Sequence, residues 1–79
     1  MVTTSITLNT VDKVRDFVDK VKSINALITL SDGVNELDGK SIMAVFSFNL
    51  LHPLVCTIYG DSIEEEEEVK LFIEEWKRT

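Results

Sequence analysis

The hydrophobic positions along the chain switch between a two-residue and a helical period, and each switch marks an element. Val2, Thr4, Ile6 and Leu8 lie on one side of an alternation rich in β-branched residues, which predicts a strand over 2–8 with one buried face. Val11, Val14, Phe17, Val18 and Val21 then recur at three- and four-residue spacing with charged residues between them, a helix of about three turns capped by Thr10 or Asn9. Ala26, Ile28 and Leu30 return to alternation. Asp32-Gly33 marks a hairpin, expected as a type I′ turn with positive φ at both central residues, and 34–38 is the returning strand. Gly39 lets the chain turn, Ser41 is an N-cap, and Ile42, Met43, Val45 and Phe46 make a short apolar helix. Pro53 stops any continuous element, 54–59 is β-rich, and Gly60 closes it. Ser62 with Glu65 three residues on reads as a capping box for a last helix, whose buried stripe is Val69, Phe72, Ile73 and Trp76. The order β-α-β-β-α-β-α predicts an α+β fold, a four-stranded antiparallel sheet covered on one face by three helices.

Composition narrows what such a fold could do. The chain has 79 residues, expected as one domain over 1–79, and carries 8 Lys+Arg against 14 Asp+Glu for a net charge of −6. That balance argues against nucleic acid or an anionic membrane as partner, both of which need clustered positive charge. A domain this small has little material for a deep, walled active site, so function is expected on the surface. The single cysteine, Cys56, cannot form an internal disulfide, no Cys/His framework calls for a metal, and no cofactor is implied; the chain fits the cytoplasm. The start lacks a basic segment and apolar run, and no stretch approaches the about 18 apolar residues of a membrane span. Cys56 reads as a small core residue, and the five glutamates of 64–68 as a solvated helix start, because consecutive helical residues do not converge on one ion. Gly39-Lys40-Ser41 lacks the earlier glycine of a phosphate-binding loop, since position 34 is Val34.

This element order, with Gly39-Lys40-Ser41-Ile42-Met43-Ala44-Val45 behind the strand Ile28-Thr29-Leu30, resembles HPr, the histidine-containing phosphocarrier of the bacterial sugar phosphotransferase system. The resemblance spans nearly the whole chain. It is most specific at Lys40-Ser41-Ile42-Met43, which matches the start of the family's second helix, where Gram-positive members carry a serine phosphorylated by HPr kinase. It implies an HPr-like open-faced β-sandwich. The family's active site, a histidine followed by Ala-Arg-Pro at the start of the first helix, has no counterpart here: an ungapped count from Ser41 puts Thr10 at the histidine, Asp12 at the arginine and Lys13 at the proline.

A phosphocarrier needs an imidazole nitrogen, because phosphohistidine keeps a high transfer potential while a hydroxyl ester does not hand the group on. The phosphate also needs positive surroundings, and Asp12 brings a carboxylate; at ~4 Å and an effective dielectric of roughly 20, like charges repel by about 4 kcal/mol. Thr10 and Asp12 fit instead an ordinary helix start, as N-cap and as a first-turn acid facing the helix dipole. The chain thus looks like a diverged member of the Crh type, which lacks the carrier histidine, keeps the serine and acts as a regulator. On that resemblance Ser41, itself an N-cap, is also the candidate phosphorylation site, with Lys40 as support for the phosphate. Met43, Phe46, Phe48, Leu50 and Leu51 are more than one face of a two-turn helix can bury. In HPr this helix and its loop dock partner proteins, so Met43, Phe46, Leu50 and Leu51 are the candidate protein-binding residues. Phosphotransferase-system enzymes, HPr kinase or a transcriptional regulator are the implied partners. Two other readings stay open: His52, the single histidine, as a displaced carrier, and an oligomerising scaffold that uses the apolar second helix. The oligomeric state is not fixed by the sequence.

Overall fold

A computed structural model describes residues 1–78. Strand β1 (Val2–Ile6) is followed by α1 (Val11–Val21), β2 (Leu27–Ser31), β3 (Glu36–Asp38), α2 (Ile42–Phe46), β4 (Leu54–Tyr59) and α3 (Ile63–Arg78). The strands form one antiparallel sheet in the order β1-β4-β2-β3, so the last strand in sequence lies between β1 and β2.

Directly opposed residues share a face of an antiparallel sheet, and the register separates a covered face from an open one. Ile6 opposes Leu54, Ile28 opposes Ile58, and Leu30 opposes Cys56, which makes one apolar face across the central strands. The helices cover that face with Val14, Phe17 and Val21 from α1, Val45 from α2, and Val69 and Ile73 from α3. Phe17 meets Trp76 with ring centroids 5.7 Å apart, which ties α1 to the end of α3. On the opposite face Thr3, Thr57 and Thr29 stand side by side across β1, β4 and β2.

Four local expectations change. The first strand ends at Ile6, although Leu8 beyond it remains fully buried. The hairpin is wider than a type I′ turn: Ser31 opposes Glu36, four residues form the loop, and among the described residues only Gly33 takes a positive φ, +96°. The cause is the Asp32 side chain, whose Oδ1 accepts the Asn35 N–H at 2.8 Å and the Val34 N–H at 2.9 Å and so organises the turn itself. Those donors, Asn35 foremost, hold the Asp32 carboxyl below its usual range. As a result β3 begins at Glu36, and Val34 is exposed at the loop tip. In α3, Phe72 is 44% exposed and lies outside the buried stripe, which is carried by Val69 and Ile73. Glu66, by contrast, is 5% exposed: its Oε2 accepts the Gly60 N–H at 2.8 Å, so the 64–68 run is not a uniformly solvated start.

Candidate functional site

The start of α1 is the position of greatest chemical interest. Thr10 has extended backbone dihedrals (φ −137°, ψ 156°), its carbonyl accepts the Val14 N–H at 3.1 Å, and its Oγ1 accepts the Lys13 N–H at 3.1 Å. Its hydroxyl oxygen is therefore engaged as a helix cap. Asp12 stands exposed in the first turn, and the Lys13 ammonium donates to Asn9 Oδ1 at 3.1 Å.

Beside this helix start a cleft of about 700 Å³ runs to the end of α3, lined by Thr7, Asp12, Lys13, Asp16, Trp76 and Lys77. The Trp76 indole N–H donates to Asp16 Oδ2. Lys77 donates to the Ser5 carbonyl at 2.6 Å and to the Thr4 hydroxyl at 3.3 Å, and that hydroxyl donates to Glu74 Oε2 at 3.0 Å. Sequence reasoning missed this cleft, because nothing near Asp12 in the chain announces Trp76 and Lys77; packing of α3 against β1 and of Trp76 on Phe17 brings them there.

Ser41 is half-buried at the start of α2, where its Oγ accepts the Ala44 N–H at 3.3 Å and its own N–H donates to the Asp38 carbonyl at 3.2 Å. The expected support from Lys40 is differently arranged: its ammonium donates to the Ile24 carbonyl, and its backbone N–H to Asp38 Oδ1 at 2.9 Å. Gly39 permits the approach that precedes this helix, since its N–H donates to the Ile28 carbonyl at 2.8 Å and a Cβ would stand 3.1 Å from the same oxygen.

Around α2 the apolar residues divide. Met43 is 82% exposed, Leu51 81% and Phe46 41%, whereas Phe48 is buried. Leu50, expected on the binding surface, is half-buried against the core, where it anchors the loop after α2. His52 is exposed in that loop, its backbone N–H 3.5 Å from the Asn49 carbonyl, and among the described residues its imidazole has no hydrogen bond or ion pair. Burial pushes the Cys56 thiol up to about 12, far from thiolate chemistry. Among the described residues no three His, Cys, Asp or Glu side chains are grouped to hold a metal ion, and no helix is long and apolar enough to cross a membrane.

No protein-family model matches the chain, and no curated protein matches it. Among solved structures it is similar to the crystal structure of HPr-C-His from Thermoanaerobacter tengcongensis, with a TM-score of 0.74 at 19% identity, covering 98% of this chain and 94% of that one. At that identity the likeness shows the fold: the chain has the HPr-like arrangement of four antiparallel strands and three helices.

Proposed function

We propose that this chain is a protein-binding or regulatory module on an HPr scaffold, without catalytic chemistry and without a carried phosphate. The reading is supported by the start of α1, where Thr10, which an ungapped count from Ser41 sets at the family's carrier histidine, has its oxygen engaged as a cap next to the carboxylate of Asp12. A hydroxyl ester there would not pass its phosphoryl group on, and Asp12 opposes the anion.

What remains is a surface for partners. Met43, Phe46 and Leu51 expose apolar side chains on and after α2, and we assign docking of a phosphotransferase-system enzyme or regulator to them, in the bacterial cytoplasm. Phosphorylation at Ser41 would control that docking, because a phosphoryl group would bring up to two negative charges to the edge of the patch, opposed by nearby Asp38.

One reaction mixture tests both halves. With phosphoenolpyruvate and enzyme I, intact-mass measurement of this chain is expected to show no added phosphate. A large excess of the chain is expected to slow the phosphorylation of authentic HPr by competing for enzyme I, and Met43→Asp with Leu51→Asp to relieve the competition. An acid-labile phosphate on the chain, whether at His52 or elsewhere, would sink the non-carrier reading. Absence of competition would remove enzyme I as a partner.

A further inference from the structure

Asp-Gly occurs twice in the chain, at Asp32-Gly33 and at Asp38-Gly39. Such a pair is open to spontaneous isomerisation, because glycine puts no side chain in the way of its own amide nitrogen reaching the aspartate carboxyl. The glycine nitrogen attacks Cγ of the neutral carboxylic acid, a C–N bond forms, and the acid hydroxyl leaves with the amide proton as water. The resulting succinimide takes up water at either carbonyl, which returns aspartate or gives isoaspartate with the main chain rerouted through Cβ. The sequence consumes no oxidant, reductant or cofactor. Its rate is set by whether the fold lets the amide swing onto Cγ.

The two pairs share that chemistry and differ in how they are held. Gly39 is buried just past the end of β3; its N–H donates to the Ile28 carbonyl at 2.8 Å, and a Cβ there would stand 3.1 Å from the same oxygen. Asp38 is a ladder residue opposite Thr29, its carbonyl accepts the Ser41 N–H at 3.2 Å, and its Oδ1 accepts the Lys40 N–H at 2.9 Å. Ring closure at 38–39 therefore requires the end of β3 to leave the sheet. Gly33, by contrast, is exposed at the hairpin tip with φ +96°, and among the described residues nothing lies within 4 Å of the place a Cβ would take. Its N–H is held by one side chain, Ser31 Oγ at 3.0 Å, and Asp32 Oδ1 by the Val34 and Asn35 N–H groups. These bonds are exposed and lie within the loop, and such bonds open at a lower free energy than a strand does. We infer that Asp32-Gly33 is the site of covalent ageing in the folded chain, converting to isoaspartate under the restraint of Ser31, and that Asp38-Gly39 is closed to the same reaction. The added main-chain carbon falls at the hairpin tip, and the segment leading into Ser41 and α2 keeps its length.

The wild-type chain is aged in warm, mildly acidic buffer with and without urea. Isoaspartate leaves the mass unchanged, so it is located by peptide mapping and by methyl transfer from S-adenosylmethionine with an isoaspartyl methyltransferase. In urea both pairs are expected to convert at comparable rates, which supplies the internal reference. In the folded chain Asp38 is expected to convert at least about tenfold more slowly than Asp32, because its opening is drawn from a strand end and not from a loop tip. Hydrogen exchange of the native chain reads the same difference without ageing: the Gly33 amide should exchange early and the Gly39 amide late. Ser31→Ala should speed conversion at Asp32 about fivefold in the folded chain, the size of one neutral hydrogen bond, and leave the rate in urea unchanged. Circular dichroism checks that this variant is folded. Equal rates at the two pairs in the folded chain, conversion at neither while both convert in urea, equal protection of the two amides, or a folded Ser31→Ala chain ageing at the wild-type rate would overturn the assignment.

Discussion

Thr10→Ala removes the oxygen that the Lys13 N–H uses at the start of α1, and it is expected to lower the free energy of unfolding by about 1 kcal/mol. Urea denaturation measures this, with Thr10→Ser as the variant that keeps the cap. A stability equal to wild type would show that the hydroxyl does no structural work and would reopen the question of why it is there. Thr10, Ser41 and Ser62 were all legible as caps from the chain, since each bonds an N–H three residues on and needs no distant partner. The ammonium of Lys40 on Ile24, the indole of Trp76 on Asp16 and the buried carboxylate of Glu66 were not legible, because each partner arrives through tertiary packing. A local window therefore reads Glu66 as one more solvated acid in a run of five.

At the level of elements, Glu66 joins the first turns of α3 to the end of β4. The Gly60 N–H foremost, then the Met1 amine 3.1 Å from its other oxygen, hold the Glu66 carboxyl below the usual range. Its folded value is thus lower than its unfolded one, so the stability it contributes is present above the unfolded value of about 4.3 and is lost as pH falls through the folded value. Denaturation midpoints measured between about pH 5 and pH 2 are expected to fall less steeply for Glu66→Gln than for wild type. Parallel slopes would show the carboxylate to be energetically idle. Position 60 is tight for the same reason: a Cβ on Gly60 would stand 2.9 Å from Glu65 Oε1 and 3.0 Å from Glu66 Cγ. The hairpin illustrates the opposite failure of local reading. Asp32-Gly33 correctly marked a turn, but its type depended on which N–H groups the Asp32 carboxylate would take, and that moved the start of β3 to Glu36.

Across the whole molecule, the open face of the sheet carries one polar network that spans three strands. Glu36 Oε2 accepts from the Thr29 hydroxyl at 2.5 Å and from the Tyr59 hydroxyl at 2.9 Å, which binds β3 to β2 and to β4 one strand further in. The hydrogen bond to Glu36 raises the Tyr59 phenol above its usual value, so its contribution to stability is present below about pH 10 and is lost as pH rises through the folded value. Because the chain has one tyrosine, absorbance near the phenolate band follows it alone. Glu36→Gln should move its midpoint down toward about 10, and an unmoved midpoint would remove the carboxylate as the cause. Element order and the β2–β3 hairpin were legible at this scale, since hydrophobic period and turn residues mark them locally, whereas the place of β4 between β1 and β2 was not, because no local window carries it. Nor was the α1–α3 cleft, because its walls come from opposite ends of the chain and their meeting is a property of the finished fold.

The place of β4 in the sheet also governs how that fold is reached. Val2 pairs with Ile58, and Leu27 pairs with Tyr59, so both large ladders wait for a segment that lies far along the chain. Before it arrives, α1, the short α2 and the β2–β3 ladder can form from near neighbours, and neither β1 nor β2 has its large partner. Closing the distant loop costs entropy before any contact rewards it, so insertion of β4 between β1 and β2 is the expected slow step of folding. A polypeptide broken off ahead of Leu54 would hold two strands with nothing between them, and its apolar residues would be open to association with other chains.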